Sequence, residues 1–423
     1  MPLEGEEYFQ ALPDGPHVSI GLPFDKACAH HATHTFHAKR IYIIVSSSIS
    51  KTGAFTPLKA ALGDDNIAGV RYGIRQHVPW PDVLEVAADL RRLDADLIVT
   101  LGAGSLTDGA KVAAHAAANL EDFTLDALAE LQAVPGKPPA KEWEKTSIPT
   151  INIPTSLSGG EYNAPGGATD LRRHKKGSFP TRGSQLVILD PELTIPTPRE
   201  VWLSSGMRAV DHCVEGLCSV AFRPGSSEEN GIDRKKVEGY LIKGLQLLLP
   251  NLLITNRDPK NLGARKQSML GVIEAFRGLT KVPMGASHGI GHQLGPLGVG
   301  HGETSCVILP SVLEWNRRHG DDWVVARQGI VQEAFWRDAT VRDALEKRGL
   351  NDAKHTARAG DLVAAFVAEL GLPGSLKEVG IGRDRLEGLA KNSMGDRCIP
   401  TNPVGVDERQ VLEILEMALG DYS

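Results

Sequence analysis

Short apolar runs rich in β-branched residues alternate with helical stretches through the first half of this chain, and this alternation restricts the possible folds more than any other feature. Five runs have the composition of strands: 40–45, 66–71, 95–100, 150–153 and 185–189. Apolar spacing at 80–93 and 106–119 predicts helices among them. Strands this apolar are typical of a parallel sheet that helices cover on both faces. The first half is therefore predicted to be a doubly wound α/β domain.

The second half has a different pattern. Three prolines fall within residues 190–199 (DPELTIPTPR), and few strand-like runs follow them. Helical periodicity then dominates, at 200–218, 233–253, 265–276, 361–370 and 408–419. We place the domain boundary near residue 193, which gives an α/β domain over 1–192 and an all-α domain over 193–423.

Charge and composition restrict the partners. The net charge is −6 and aromatic residues make up 5% of the chain, which disfavours binding to nucleic acid or to an anionic membrane surface. The five cysteines are widely spaced and odd in number, as expected for reduced thiols. The N-terminus lacks the apolar core of a signal peptide, and no run approaches the ~20 apolar residues that span a bilayer. We expect a cytoplasmic protein that acts on a small molecule.

A histidine cluster lies near the N-terminus. It comprises His30, His31, His34 and His37. We expect these residues to lie in a solvated loop rather than in a metal site.

The clearest chemical signal in the first half is the loop LGAGSLTDGAK at 101–111. It follows an apolar strand and opens a helix, so Gly102, Ala103, Gly104 and Ser105 lie where backbone N–H groups can bind a pyrophosphate. The alternative is an ordinary strand-to-helix turn, because a short GxGS motif is weak and no GxGxxG motif occurs in the chain.

A second polar loop, PTSLSGGE at 154–161, follows the next strand. Consecutive loops at the carboxyl ends of parallel strands converge on one crevice, which favours a dinucleotide there. Thr155, Ser156 and Ser158 are its candidate cofactor contacts. The strand at 42–45 ends in Ser46-Ser47-Ser48 and not in an acid, so no carboxylate repels a 2′-phosphate. NADH and NADPH are both open as cofactors.

Three histidines in the second half lie within a short glycine-rich segment, at positions 288, 292 and 301. A helix would present His288 and His292 on one face, and His301 lies in a glycine-flanked loop from which it can turn toward them. Imidazole binds divalent metals and also exchanges protons near neutral pH. The alternative for each histidine is a structural role.

These segments resemble the iron-containing alcohol dehydrogenase superfamily. The two loops are similar to its cofactor loops, and GMRAVDHCVEG, HGIGHQLG…GHGE and Thr401-Asn402-Pro403 resemble its second domain, in the same order from about residue 40 onward. Residues 68–79 (AGVRYGIRQHVP) resemble the maleylacetate reductase branch. The resemblance implies the dehydroquinate synthase-like fold, a nucleotide-binding α/β domain plus an all-α domain with the active site in the cleft between them, and a homodimer.

The resemblance also implies roles for individual residues. Asp108 lies where the family has an acid at a helix start near the cofactor, and Glu161 is expected to orient a cofactor loop. Lys176 is a candidate cofactor contact, with a solvated basic turn at 172–176 as the alternative. Metal-dependent members hold their ion with an Asp and three His, and the histidine positions fall on His212, His288 and His301.

The chain departs from this pattern at the aspartate, whose position is taken by Arg208. An arginine cannot ligate a cation and brings charge of the same sign. Asp211 is expected to point about 100° away from its neighbour His212 on a helix and to be a poor replacement. The spacing from His288 to His301 is also one residue shorter than usual in the family. We therefore expect no bound metal.

The expected function is an NAD(P)H-dependent oxidoreductase that reduces a carbonyl, or a C=C conjugated with one, in a small acidic substrate. Arg208 is expected to bind the substrate, and His292 or His288 to supply the proton. A structural ion pair from Arg208 to Glu215 or Asp211 is the alternative. Other readings are a metal-dependent alcohol dehydrogenase, a lyase similar to dehydroquinate synthase, and a nucleotide-binding regulator without catalysis.

Overall fold

A seven-stranded sheet organises the first part of the chain in a computed structural model, which describes residues 2–133, 143–173, 175–226, 231–351 and 357–420. Its strands are β1 (Glu7–Gln10), β2 (His17–Ile20), β3 (Ile41–Val45), β4 (Ile67–Tyr72), β5 (Leu97–Gly102), β6 (Thr150–Pro154) and β9 (Leu186–Leu189). Their order is β1-β2-β9-β6-β5-β3-β4, and all neighbours are parallel except β1 with β2. A separate antiparallel pair is formed by β7 (Gly166–Asp170) and β8 (Lys175–Phe179).

Helices cover both faces of this sheet. They are α1 (Phe24–His34), α2 (Phe55–Leu62), α3 (Trp80–Arg92), α4 (Gly104–Asn119) and α5 (Leu125–Glu130). Alternate residues of β3 face opposite sides, as a strand requires. Tyr42 and Ile44 join the core that includes α3 and α4, whereas Ile41, Ile43 and Val45 join the core that includes α1 and α2. The predicted doubly wound fold is confirmed.

The sheet has a topological switch point between β3 and β5. The chain passes from β3 to β4 on one side, and then β5 pairs with β3 on the other side. Crossover connections that leave in opposite directions open a crevice at the carboxyl ends of the two strands, and ligands of doubly wound folds bind there. The residues that follow β3 and β5 are Ser46 and Ala103.

The second compact unit, Thr197–Ser423, is distinct from the first, Met1–Pro196. Its helices are α6 (Arg199–Leu217), α7 (Arg234–Arg257), α8 (Leu262–Leu279), α9 (Ala286–Leu294), α10 (His301–His319), α11 (Asp322–Arg337), α12 (Ala339–Lys347), α13 (Ala359–Glu369), α14 (Leu386–Ser393) and α15 (Glu408–Ala418). Among the residues described in this unit there is no strand, so the predicted all-α character is confirmed.

The apolar helix α7 corrects one expectation from sequence. By length and composition it could cross a membrane, although no run was expected to be long enough. Half of its most apolar window is buried inside the protein, where Leu241, Leu245, Leu248 and Leu252 lie in the core. The core helix of a globular unit has the same composition as a membrane span.

The N-terminal histidines also differ from expectation, because His30, His31 and His34 lie on α1 and not in a solvated loop. His31 is buried, with its Nε2 2.8 Å from Glu6 Oε1 and its Nδ1 2.8 Å from Thr35 Oγ1. The segment that carries Glu6 leads into the β1–β2 pair, which the sequence pattern did not reveal. His31 therefore has a structural role.

Candidate active site

Loops after three strands of the α/β unit converge at the switch point. Gly102 has a φ of +153° and would place a Cβ 3.0 Å from that of Ser46. Gly104 would place one 3.0 Å from the Cβ of Ser158, in the loop after β6. The backbone N–H of Thr155 donates to the Gly102 carbonyl oxygen (3.1 Å). Glycine is required here because a side chain would collide with the neighbouring loops.

Helix α4 begins at this point, and its N-terminus has no side-chain cap. Its N-cap is Ala103, whose side chain cannot accept a hydrogen bond. The first N–H groups, those of Gly104 and Ser105, follow directly after the convergence of the loops. Ser156 and Ser158 add hydroxyls on the neighbouring loop, with their Oγ atoms 2.8 Å apart. This arrangement is suited to a phosphate group.

A buried lysine of α4 binds the backbone at the end of the second candidate cofactor loop and in the segment that follows it. Lys111 Nζ donates to the carbonyl oxygens of Gly160, Asn163 and Pro165, each at 3.0 Å. It also pairs with Asp108 Oδ1 at 2.9 Å. The predicted cofactor residue Asp108 therefore anchors Lys111, and Lys111 was not singled out from sequence. The sequence feature that could have identified Lys111 is its position on the predicted helix, seven residues after Gly104.

The two remaining cofactor candidates also lie near Asp108. A Cβ on Gly167 would lie 3.4 Å from Asp108 Oδ2 and 2.5 Å from Lys176 Cε, and Lys176 is in strand β8. Glu161 is buried, and within the described chain its Oε1 has no hydrogen-bond partner. Burial raises the pKa of Glu161 to about 7. The candidates thus lie at or after the ends of β3, β5 and β6, in the first turns of α4 and on β8.

In the helical unit, one face of α6 carries four buried ionisable residues: Arg208, Asp211, His212 and Glu215. Spacings of three and four residues place side chains on the same face of a helix. Asp211 therefore belongs to the cluster and does not point away, as was expected from its angle to His212 alone. Asp211 lies three residues after Arg208, about one helical turn, and this spacing places the two side chains on the same face.

Arg208 is held by contacts of its Nη1 atom. Ser305 Oγ accepts from it at 3.0 Å, and Asp211 Oδ2 lies 3.5 Å away. Asp211 Oδ2 in turn accepts from Ser305 Oγ (2.6 Å) and from Ser287 Oγ (3.0 Å). The Nε atom of Arg208 has no hydrogen-bond partner among the described residues. The ion pair to Asp211 thus exists, and it leaves part of the guanidinium unused.

His288 is oriented by Glu215. Its Nδ1 lies 2.6 Å from Glu215 Oε2, whereas its buried Nε2 has no partner in the described part of the chain. Glu215 also accepts from the N–H groups of Gly285 (3.1 Å) and Ser287 (2.8 Å), at the start of α9. The His212 ring lies beside that of His288, with 4.9 Å between centroids. A carboxylate on one ring nitrogen fixes the imidazole and aims the other nitrogen.

The other two predicted histidines are placed differently. His292 is one turn after His288 on α9, and its Nδ1 lies 2.9 Å from Asp396 Oδ2. His301 is exposed and is the first residue of α10, so it does not lie in a loop as expected. The carboxylates that bind the histidines were not identified as site residues from sequence, and Asp396 lies more than 100 positions from its partner.

Burial controls the charges in this cluster. It lowers the pKa of His288 and of His212 well below the ordinary value, and neighbouring Arg208 lowers both further. Both rings are therefore neutral at pH 7. Burial also raises the pKa of Asp211 and of Glu215, which Arg208 and hydrogen-bond donors oppose. The result is one cation among partly compensated carboxylates and two neutral imidazoles.

Known proteins share both units of this chain. Residues 24–191 match the family model of iron-containing alcohol dehydrogenases, and residues 202–419 match the C-terminal model of the same family. Dehydrogenase FUM7 of Gibberella moniliformis is 43% identical over 99% of this chain and 100% of its own length. Dehydrogenase ALT3 of Alternaria alternata is 44% identical over 90% of this chain and 100% of its own.

A solved structure agrees in fold. Maleylacetate reductase from Agrobacterium tumefaciens superposes with a TM-score of 0.70 at 22% identity, covering 99% of this chain and 98% of that one. The chain therefore belongs to the iron-containing alcohol dehydrogenase family, with maleylacetate reductases among its relatives, and is an NAD(P)-dependent oxidoreductase.

Proposed function

We propose that this enzyme uses NADH or NADPH to reduce a carbonyl, or a C=C conjugated with one, in a small acidic substrate, and that it needs no metal ion. The observation that carries the proposal is the buried guanidinium of Arg208, which is paired with Asp211 through Nη1 and whose Nε has no hydrogen-bond partner among the described residues. A guanidinium can bind a carboxylate and can stabilise an oxyanion, which are the tasks that an acidic carbonyl substrate requires.

The family name implies iron, and the residues of this chain do not fit the ligand set implied by the resemblance. Arg208 stands in place of the aspartate ligand, and its charge repels a cation. In the described chain, two groups of His, Cys, Asp and Glu have all their ligand atoms within 4.8 Å of one another, and neither contains His212 or His301. We therefore assign no catalytic step to a metal.

A metal-dependent alcohol dehydrogenase is the second candidate, because one of those groups is Asp211, Glu215 and His288. Three observations disfavour an ion there. Asp211 Oδ2 already accepts from two serine hydroxyls, both Glu215 oxygens accept backbone N–H groups, and Arg208 supplies positive charge. These donors compensate the carboxylates that a metal would otherwise neutralise.

In the proposed reaction, bound NADH or NADPH would supply a hydride to a substrate carbon. Arg208 stabilises the negative charge that develops on the carbonyl oxygen and orients the substrate carboxylate. Neutral His288, fixed by Glu215, presents Nε2 as a hydrogen-bonding group. The Gly102–Ser105 loop, Ser46 and the 155–161 loop bind the cofactor, with Asp108 and Lys176 beside them.

Metal removal tests the proposal. We expect protein purified without chelator to contain far less than one iron or zinc per chain, and EDTA to leave NAD(P)H oxidation unchanged on a panel of keto acids, unsaturated keto acids and aldehydes. One metal per chain whose removal abolishes turnover would establish the second candidate instead. The same panel without any turnover would contradict both.

Cofactor choice gives a second test, at Ser46. Residues 46–63 contain no acid, so the segment that follows β3 offers no carboxylate to repel a 2′-phosphate. Ser46→Asp is expected to lower kcat/KM for NADPH relative to NADH by about 10-fold or more, equivalent to about 1.4 kcal/mol. Ser46→Ala is the control, because it removes the hydroxyl without adding charge. An unchanged ratio in Ser46→Asp would place the 2′ position elsewhere.

A further inference from the structure

The two histidines of α9 are bound by different carboxylates and differ in access to water. His288 is 6% exposed and bound to Glu215, whereas His292 is 24% exposed and bound to Asp396. Proton transfer to a substrate needs a group that can carry an extra proton and recover it from solvent. The two histidines share a helix face, but only His292 has the exposure to water that a proton donor needs.

Asp396 is well suited to hold an imidazole. Its Oδ2 lies 2.9 Å from His292 Nδ1, and its Oδ1 accepts the backbone N–H of Cys398 at 2.9 Å. Its own N–H donates to the Ser393 carbonyl oxygen at the end of α14 (2.8 Å). These bonds fix the carboxylate on both sides. Burial would raise the pKa of Asp396, but the bonds from His292 and Cys398 hold it below its ordinary value, so Asp396 is ionised at neutral pH.

We infer that Asp396 is a positioning residue that fixes His292 as the proton donor of the reduction. The inference rests on the proposed function. An ionised carboxylate on Nδ1 stabilises the doubly protonated imidazole and aims its Nε2–H away from Asp396. His288 is less suited to this role, because only 6% of its side chain is exposed to the water that would return the proton. Within the described chain, the charged and titratable groups near His292 include Asp396, Cys398, His288 and His212, and Arg208 interacts with Asp396.

For a carbonyl substrate, bound NAD(P)H would supply the hydride, and the electron pair of its broken C4–H bond would form the new C–H bond of the substrate. The carbonyl π pair moves to oxygen, which forms an O–H bond with the proton from His292 Nε2. NAD(P)⁺ and an alcohol result. His292 keeps its Nδ1–H toward Asp396, and water restores the lost proton.

The test compares Asp396→Asn with wild type in the full-length chain, on the best substrate from the panel. We expect kcat to fall about 100-fold, the size typical of lost general acid catalysis, with the KM for NAD(P)H unchanged. The double variant with His292→Asn should be no slower than His292→Asn alone, because the two residues act as one unit. A purely structural role for Asp396 would make the two losses multiply.

Asp407→Asn is the matched control. Asp407 is exposed, caps α15 by accepting the Gln410 N–H, and can be replaced by asparagine, which caps equally well. Its kcat should equal that of wild type.

Histidine side-chain NMR tests the pair without turnover. The Nδ1–H resonance of His292, assigned through its loss in His292→Asn, should also be lost or shifted strongly in Asp396→Asn. A wild-type kcat in Asp396→Asn, or an unmoved His292 resonance, would overturn this inference and leave the proposed function standing. Wild-type protein without any reductase activity would overturn the proposed function and this inference with it.

Discussion

Replacing Arg208 with lysine is expected to lower kcat/KM at least 100-fold for an acidic carbonyl substrate. Lysine keeps the positive charge beside Asp211, so the buried carboxylate retains a compensating cation. The planar fork that binds a carboxylate through two parallel hydrogen bonds is lost, however. A 100-fold loss corresponds to about 2.7 kcal/mol, within the range for hydrogen bonds to charged groups. Steady-state kinetics with acidic and neutral analogues measures the effect, which should be smaller for the neutral analogue.

The matched control for this variant is Arg265→Lys. Arg265 is equally buried in the helical unit, donates through Nε to the Pro259 carbonyl oxygen and stacks over Trp202. It measures what the loss of a buried guanidinium does to stability alone. Two results together would show that Arg208 is only a structural partner of Asp211. Arg208→Lys would retain full activity on acidic substrates, and the fall in its Tm would be similar to that of Arg265→Lys.

The fold was predictable where the sequence pattern is local. Strands buried on both faces are continuous apolar runs, and β3 and β5 are such runs, so their sheet and its Gly102 loop could be read from composition and order. The N-terminal pair β1–β2 could not, because four-residue strands with mixed burial give too short a pattern. His31 was misassigned for the same reason, since its partner Glu6 precedes that pair.

The sequence indicated the residues of the candidate site, whose catalytic and cofactor roles stay predictions, but it did not indicate the contacts among them. Arg208, His212, His288 and His292 lie in or beside the buried polar cluster. Their partners were missed because the contacts span long separations in sequence, such as that from Glu215 to His288. Asp211 was discounted on its angle to His212, yet a side chain one helical turn from Arg208 shares its face. The residues that share one face of a helix can be identified only when the spacing of every pair among them is considered.

The second large effect is expected from Glu215→Gln. Both carboxylate oxygens of Glu215 accept backbone N–H groups, those of Gly285 and Ser287, and Oε2 also faces His288 Nδ1. A glutamine must direct its NH₂ group at one of these donors, which leaves that donor buried and unsatisfied. The cost is roughly 2–4 kcal/mol, or a fall in Tm on the order of 5–15 °C for a unit of this size.

The Glu215→Gln substitution should lower kcat as well as Tm. Without the carboxylate, His288 loses its fixed orientation, and kcat is expected to fall at least 10-fold at temperatures where the variant is folded. Glu274→Gln is the control, because Glu274 makes a partly exposed pair with Arg277 on α8, and surface pairs contribute little. Thermal unfolding and kinetics should be measured on both. A Glu215→Gln variant with wild-type Tm would mean that Glu215 is protonated and donates to His288, which would reverse the roles of the two ring nitrogens and make His288 Nε2 a donor toward the substrate.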